Sequence, residues 1–517
     1  MKKCVSLAAL ALVVLAADAV VRAQVNVGPN INIATGSDVF LQRQNELAYG
    51  VSSLNPEHHI ALWNDWRTID QADDTGAGTS SQGIFVRLFR FFRKPFSKAE
   101  ADADIEAAAE GWTGFGVSNN GGWNWSTGLV PGFPGDTSPE GAALRAGDYE
   151  AMADPWVSCD PVNCHVTTIA FTRGGGSALV YFRYTDFNDS ETGHNWRLTV
   201  PPTILKTGNN SLPGAFNDKP TIIAAPNGLV LIASVEFDGQ DKAGKFQSKV
   251  MVTRSTNFGM TWGPSQKISM PGTRNQSPFF VIDPNNSSRV FVGWRVFSEN
   301  AIVGRASFDG GGSWVPNKPY SVIPNFQAYD QIGQQMPLAP PARQQFRTNA
   351  YVTGGMDGSG VLHVAVAERV NAQGVPTAGG TPRIVVTSSY NGGISWTPRK
   401  PVSLTGSGPQ FIPTMTIVGA PRRSGDPNNK TRADIFLAYY GADTRDIAAN
   451  SSGPIAGGNV RFHMYLSHAD SWKTETDPQA TGVNTAGNVQ FDPATLLSRY
   501  TKDSLPPHGV VTAAGFG

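Results

Sequence analysis

The sequence predicts an all-β fold, a six-bladed β-propeller of four-stranded antiparallel blades with a partly helical insertion in the first blade. Three observations carry this. A turn string, Ser-x-Asp/Asn-x-Gly-x-x-Trp, occurs as SNNGGWNW ending at Trp125, STNFGMTW at Trp262, SFDGGGSW at Trp314 and SYNGGISW at Trp396. Upstream of each lies an apolar stretch, a turn and a second apolar stretch, which reads as a strand pair. Glycine (56) and proline (36) are frequent enough to supply the turns that many short strands need. Such repeats along 517 residues mark radial units that pack mainly on their neighbours.

The turn string has a local cause. Asp or Asn at its third position accepts hydrogen bonds from backbone N–H groups just ahead and closes a turn. Gly supplies the positive φ of a tight hairpin. Ser adds a second side-chain bond to the same backbone, and the Trp ring folds over the tip from the return strand.

In chain order, MKKCVSLAALALVVLAADAVVRAQ has a basic start, an apolar run and small residues before Gln24. That is the pattern of a secretory signal peptide over residues 1–23, and it predicts a secreted or periplasmic protein. Leu7 to Ala17 is short for a bilayer, and no later segment is apolar enough for a stable membrane span. Residues 24–44 lead in, 45–478 form the propeller, and 479–517 are a Pro/Gly-spaced tail, either a closing strand or a linker. The strand pairs fall at 46–66, 154–171, 219–237, 277–297, 349–369 and 412–440. Weaker turn copies, DSETGHNW at Trp196 and LSHADSW at Trp472, bring the turns to six. Residues 68–112 interrupt the first blade. Their run GIFVRLFRFFRKPF reads as a strand packed on one face, with a membrane-touching strip as the alternative, and KAEADADIEAAAEG reads as helix.

Lys+Arg and Asp+Glu are equal at 41 each, which argues against nucleic acid or an anionic membrane as the main partner. Cys159 and Cys164 flank the turn-like Asp-Pro-Val-Asn, and in an oxidising compartment they read as a disulfide. A zinc site would need more than these and His165. There is no His-Glu-x-x-His, no Gly-x-Ser-x-Gly and no phosphate-binding loop, so neither a metal nor a cofactor is expected.

The turn string resembles the Asp box, or BNR repeat, of the sialidase superfamily, over about residues 45–475. The resemblance implies a six-bladed propeller with the box between the third and fourth strands of a blade. It also implies a glycan or glycoconjugate as ligand. In the family's sialidases an Arg-Ile-Pro motif opens the first blade, three arginines bind the substrate carboxylate, an Asp is the acid/base catalyst, and a Tyr–Glu pair is the nucleophile. Guanidinium forks suit a carboxylate, and a neutral Tyr avoids repelling it. Here the Arg-Ile-Pro place reads Gln44 to Leu47, without Arg. Carried onto WNDWRTIDQADD, the family pattern makes Arg67 a substrate-binding Arg and Asp73 the acid/base. Arg295 and Arg369, closing the second strands of blades four and five, fall where further substrate-binding arginines would lie. Phe411 stands where the nucleophile is expected, so Tyr439 and Tyr440, on the next strand, are the candidates.

A separate pattern comes from the residues alone. Glu46, Asp154 and Asp218 each open an inner strand, and inner strands line a propeller's channel. Converging carboxylates can bind sugar hydroxyls, hold a cation or act as an acid/base pair; alternatively they cap strand ends. Two functions follow as expectations. One is a glycoside hydrolase of the exo-sialidase kind. The other is a non-catalytic propeller that binds carbohydrate or a protein partner.

Overall fold

The computed structural model describes residues 44–65, 111–172, 176–189, 195–209, 216–240, 246–329, 336–337, 345–346, 350–403 except 359, 409–419, 433–442, 462–470, 491 and 494–496, together with Ile33. Chain contacts divide Met1–Asn30 from Ile31–Gly517, and every described residue lies in the second unit. The signal-peptide segment 1–23 and the interior of the insertion lie outside the described residues.

Alternation of apolar and polar residues, rich in Val, Ile, Phe and Thr, produces strands, and Asx- and Gly-containing turns fold them into meanders. Blade 1 is β1 (Gln44–Val51), β2 (His59–Asp65), β3 (Trp112–Ser118) and β4 (Ser126–Leu129). A 3₁₀ turn (Pro139–Gly141) and the short helix α1 (Ala142–Ala146) lead to blade 2, which is β5 (Ala151–Cys159), β6 (Asn163–Phe171), β7 (Gly176–Asp186) and β8 (Trp196–Asn209). Blade 3 comprises β9 (Phe216–Ala224), β10 (Val230–Gln240), β11 (Phe246–Ser255) and β12 (Gln266–Lys267). Blade 4 comprises β13 (Asn275–Asp283), β14 (Asn286–Val296), β15 (Ala301–Ser307) and β16 (Val315–Ile323). A small hairpin, β17 (Met336–Pro337) with β18 (Gln345–Phe346), precedes blade 5: β19 (Thr353–Met356), β20 (Leu362–Val370), β21 (Thr381–Ser389) and β22 (Lys400–Pro401). Blade 6 is β23 (Gln410–Gly419), β24 (Ala433–Ala442), β25 (Phe462–Asp470) and β26 (Thr495–Leu496). Each blade is a four-stranded sheet in sequence order.

All six predicted strand pairs are therefore the first two strands of a blade. The interruption after residue 67 falls between β2 and β3, as expected. The fourth strand of blade 6 comes from the tail, so that segment supplies a closing strand. Cys159 and Cys164 face each other across the β5–β6 hairpin and are joined as a disulfide.

The core lies in layers between successive blades. Met152, Val166 and Phe182 of blade 2 meet Ile60 and Leu62 of blade 1; Leu231 and Val252 of blade 3 meet Val292 and Trp314 of blade 4. One larger layer joins Phe291 of blade 4, Val364 and Ile384 of blade 5 and Leu437 of blade 6. Each blade contributes two apolar faces, so no blade buries its surface without neighbours.

The four clean turn strings share one geometry. Ser118, Ser255, Ser307 and Ser389 end the third strand of their blades. Each accepts, at Oγ, the N–H of the glycine four residues on, at 3.0, 3.0, 2.7 and 2.8 Å. Each also donates to Oδ1 of Asn120, Asn257, Asp309 or Asn391, at 2.8–3.0 Å. That Oδ1 accepts a backbone N–H four residues further on, at 2.9 Å in all four. Trp125, Trp262 and Trp396 close the tip by donating Nε1–H to a carbonyl of Gly122, Gly259 or Gly393. These turns thus sit between third and fourth strands, and their chemistry is spent on the backbone.

Candidate functional site

The opposite ends of the blades carry the inner-strand residues singled out above. Five inner strands share a bulge there, in which two residues oppose one on the second strand. Glu46–Leu47 oppose Trp63, Asp154–Pro155 oppose Thr168, and Lys219–Pro220 oppose Ser234. Ser277–Pro278 oppose Trp294, and Ile412–Pro413 oppose Tyr439. Asp154, Lys219, Ser277 and Ile412 hold φ of 57°, 41°, 53° and 49°, a left-handed conformation that costs a non-Gly residue energy and turns its side chain out of the normal strand alternation. The following Pro has no N–H to leave unpaired where the ladder breaks.

The bulges place the predicted carboxylates. Asp154 and Asp218 do not open their strands but lie within β5 and β9, and they are not equivalent. Asp154 is a bulge residue whose counterpart in blade 3 is Lys219, and Lys219 Nζ meets Asp154 Oδ1 at 2.7 Å. Asp218 stands one residue ahead of the bulge, where blade 4 has Gln276, and Gln276 Nε2 donates to Asp218 Oδ2 at 2.7 Å. Two cross-blade contacts therefore link blades 2, 3 and 4 at this end. Asp154 Oδ2 is buried and accepts no hydrogen bond among the described residues, while the Asp154 backbone N–H donates to Asn64 Oδ1 of blade 1 at 2.9 Å. The Lys219 ammonium lies 5.6 Å from the ring centre of Tyr351, ahead of β19. Glu236, on β10, takes contacts from both Lys206 and Lys249. Just past the blade 2 bulge, Trp156 is 47% exposed although it belongs to an inner strand. Its neighbour but one, Ser158, accepts the N–H of Ala224 in blade 3, which puts Trp156 on the same side of β5.

Arg67 and Asp73 lie outside the described residues, as does the side chain of Glu46. Arg295 is 0% exposed. Its guanidinium donates to the carbonyls of Val296 and Ala301 and to Asn300 Oδ1, and it stacks 4.4 Å from the centre of the Phe326 ring. That is a structural occupation rather than a substrate-facing one. Arg369 is half-buried, donates to the Gly380 carbonyl at 3.0 Å, and has its pKa lowered by burial, an effect the nearby Tyr329 opposes. Tyr439 is buried opposite the blade 6 bulge, 5.9 Å from the Tyr465 ring and 3.4 Å from Ser467 Oγ, and burial pushes its hydroxyl pKa up. Tyr440 faces the other way and stacks on Phe411 at 5.9 Å. Tyr439 is a buried member of the large apolar cluster, and Tyr440 is partly buried against it. A raised pKa suits a packed phenol and works against a nucleophile that needs its phenolate.

Sequence reasoning missed Lys219, Gln276, Trp156 and Tyr351. Their signal was an aligned series of dipeptides, Asp154-Pro155, Lys219-Pro220, Ser277-Pro278 and Ile412-Pro413, one in each of four inner strands. Among the described residues no group of three or more His, Cys, Asp or Glu is placed to hold a metal ion, and no helix is long and apolar enough to cross a membrane.

No family model matches the chain, and no curated protein matches it. Solved structures do. It is similar to the GH93 alpha-L-arabinofuranosidase of Fusarium graminearum, solved with arabinobiose, at 10% identity and a TM-score of 0.41, over 82% of this chain and 92% of that one. It is similar to the Penicillium chrysogenum alpha-L-arabinanase at 12% identity and 0.39, over 78% and 89%. A Trypanosoma rangeli sialidase is similar at 12% and 0.34, over 76% of this chain and 52% of that one. In architecture the chain is a six-bladed β-propeller, with blades of four antiparallel strands.

Proposed function

We propose that this is a secreted, glycan-directed propeller that binds saccharide at the bulged ends of its inner strands, without sialidase-type hydrolysis. The observation that carries this reading is Trp156. A half-exposed indole on an inner strand, beside the Asp154–Lys219 pair, offers the apolar platform and the donors and acceptors that a sugar ring requires. The C–H face of a pyranose or furanose packs on an aromatic ring, and its hydroxyls both donate and accept. Asp154 and Asp218 supply carboxylates at this level, and Lys219 and Gln276 supply donors. The packed states of Arg295, Tyr439 and Tyr440 favour binding over sialidase-type hydrolysis at these three residues.

Calorimetric titration with a panel of neutral and acidic oligosaccharides tests the reading. Binding of at least one class is expected, weakened about tenfold or more by Trp156→Ala, which removes a buried contact of about 1.4 kcal/mol or more. Turnover of a fluorogenic glycoside that Asp73→Ala abolishes would replace it with the hydrolase reading. No saccharide binding at all would refute both.

A further inference from the structure

The ends of the blades that carry the Ser-x-Asx turns have a property the saccharide site does not use. In a meander of four strands the first and third connections lie at the same end, so each blade presents two turns there. Hydrogen bonds lace these ends from blade to blade. His58 meets Asp186 at 2.8 Å between blades 1 and 2, and Arg183 donates to the Phe258 carbonyl between blades 2 and 3. Arg254 donates to Gly310 between blades 3 and 4, and Asn285 to Gly358 between blades 4 and 5. The turns of blades 1 to 5 therefore form one surface.

Every one of these five blades exposes a large apolar side chain at that surface. Trp123 is 61% exposed, Met260 60%, Phe308 58% and Ile394 56%, all inside the hydrogen-bonded turn strings. Tyr390 adds a second exposed position in the blade 5 string, and Leu54, Val162 and Phe187 add positions on adjoining turns. Rigid turns hold these side chains out; nothing in the turn geometry requires them to be apolar, since Asn119 and Thr256 occupy two positions where Phe308 and Tyr390 stand in the other boxes. The charges at this end are sorted as well. Asp160, Asp186, Asp283 and Asp357 are buried and each faces His165, His58, Arg289 or His363. Asp189 is tied to Arg197, and Glu57 and Asp309 remain exposed. Meanwhile Arg197 and Arg289 keep guanidinium surface in solvent, and Arg197 lies 4.7 Å over the Phe187 ring.

We infer that this end docks on the surface of a phospholipid bilayer. The apolar tips are separate, each on its own hairpin, with polar turn backbone between them. A protein partner would need a matching pocket for every tip, whereas the headgroup–acyl boundary accepts separate apolar insertions. Exposed Trp123 and Tyr390, and the solvent-facing guanidinium surface of Arg197 and Arg289, are groups that such an interface favours. The saccharide site, at the other ends of the same strands, then faces away from the membrane.

Co-sedimentation with vesicles of phosphatidylcholine, alone and mixed with phosphatidylglycerol, tests this. The variant is Trp123→Ser, Met260→Ser, Phe308→Ser and Ile394→Ser together, with its urea midpoint checked against the parent; exposed positions of this kind tolerate such changes. The parent is expected to bind vesicles and the folded variant to lose at least about tenfold in partitioning, with saccharide titrations unchanged. Failure of the parent to bind either vesicle, or equal binding by the folded variant, overturns the inference. So does self-association of the parent that the variant abolishes and vesicles do not compete, which would assign the tips to a protein contact.

Discussion

Replacing Asp309 by alanine isolates the energetics of the turn string, because its carboxylate is the hub. Oδ1 accepts the Ser313 N–H at 2.9 Å and the Ser307 hydroxyl at 2.8 Å, and Oδ2 accepts the Ser313 hydroxyl at 2.7 Å. The two Ser313 groups are exposed and can turn to water, so their loss costs little. Ser307 is fully buried, and alanine would leave its hydroxyl proton without an acceptor, a penalty of about 1–3 kcal/mol. The sum is about 2 kcal/mol. Asparagine keeps Oδ1, which in Asn120, Asn257 and Asn391 accepts the equivalent bonds, so Asp309→Asn should lose no more than about 0.5 kcal/mol. Acid separates the two further. Hydrogen bonds from the Ser313 hydroxyl above all, then the Ser313 N–H and Ser307, hold the Asp309 pKa at about 2. A carboxylate depressed in the folded state contributes stability above its unfolded value, near 3.9, and loses it as pH falls through about 2. Urea unfolding of parent, Ala and Asn proteins measures all of this. An Ala variant as stable as the parent, or an Asn variant as damaged as the Ala, would refute the account of the turn.

Arg295→Met should lower stability by about 3 kcal/mol, since buried carbonyls of Val296 and Ala301 lose their donor, while saccharide affinity per folded molecule stays unchanged; lost affinity at unchanged stability would return Arg295 to the binding site. The buried Asp160–His165–Tyr181 chain, with contacts of 2.8 Å at each ring nitrogen, predicts a pH effect. Burial lowers the His165 pKa and outweighs the opposing Asp160, so the unfolded chain takes up a proton below about pH 6.5 that the folded one refuses. Stability should therefore fall by up to about 1 kcal/mol between pH 7 and 5.5, less in His165→Gln, and equal slopes in the two proteins would count against it.

How much of this was legible depended on how far apart in the chain the cooperating residues lie. The turn string is complete within eight residues, so each copy carries its own geometry and the copies count the blades. The strand pairs are equally local. The contacts at the other end join residues 65 apart in Asp154–Lys219 and 58 apart in Asp218–Gln276, and nothing in either segment names its partner. Arg295 read as a ligand because it closes a strand at the expected level, but a fully buried guanidinium needs the Asn300 turn and Phe326 around it before its role is visible. The surroundings of Tyr439 were hidden for a related reason. Its position opposite a bulge is the one that Trp63 and Trp294 fill in blades 1 and 4, and in all three an aromatic packs there.

The two ends of the blades use repetition in opposite ways, and this is the strongest reason to seek function at the bulges. At the turn end, the same side chains recur because they satisfy the same backbone groups, so changing them costs the turn. At the bulge end, the backbone device recurs while the side chain does not: Asp154, Lys219, Ser277 and Ile412 occupy one conformation in four blades. A left-handed residue before proline is costly wherever it stands, and four different residues bear that cost. The constraint therefore falls on the path of the strand, which bends each inner strand and frees the bulge side chain from the ladder. A fixed scaffold presenting varied side chains at one level is what recognition requires. The neutral balance of the whole chain constrains neither end, because it averages a mouth built of paired carboxylates and ammonium groups with a turn surface whose carboxylates are largely buried and whose guanidinium groups are not.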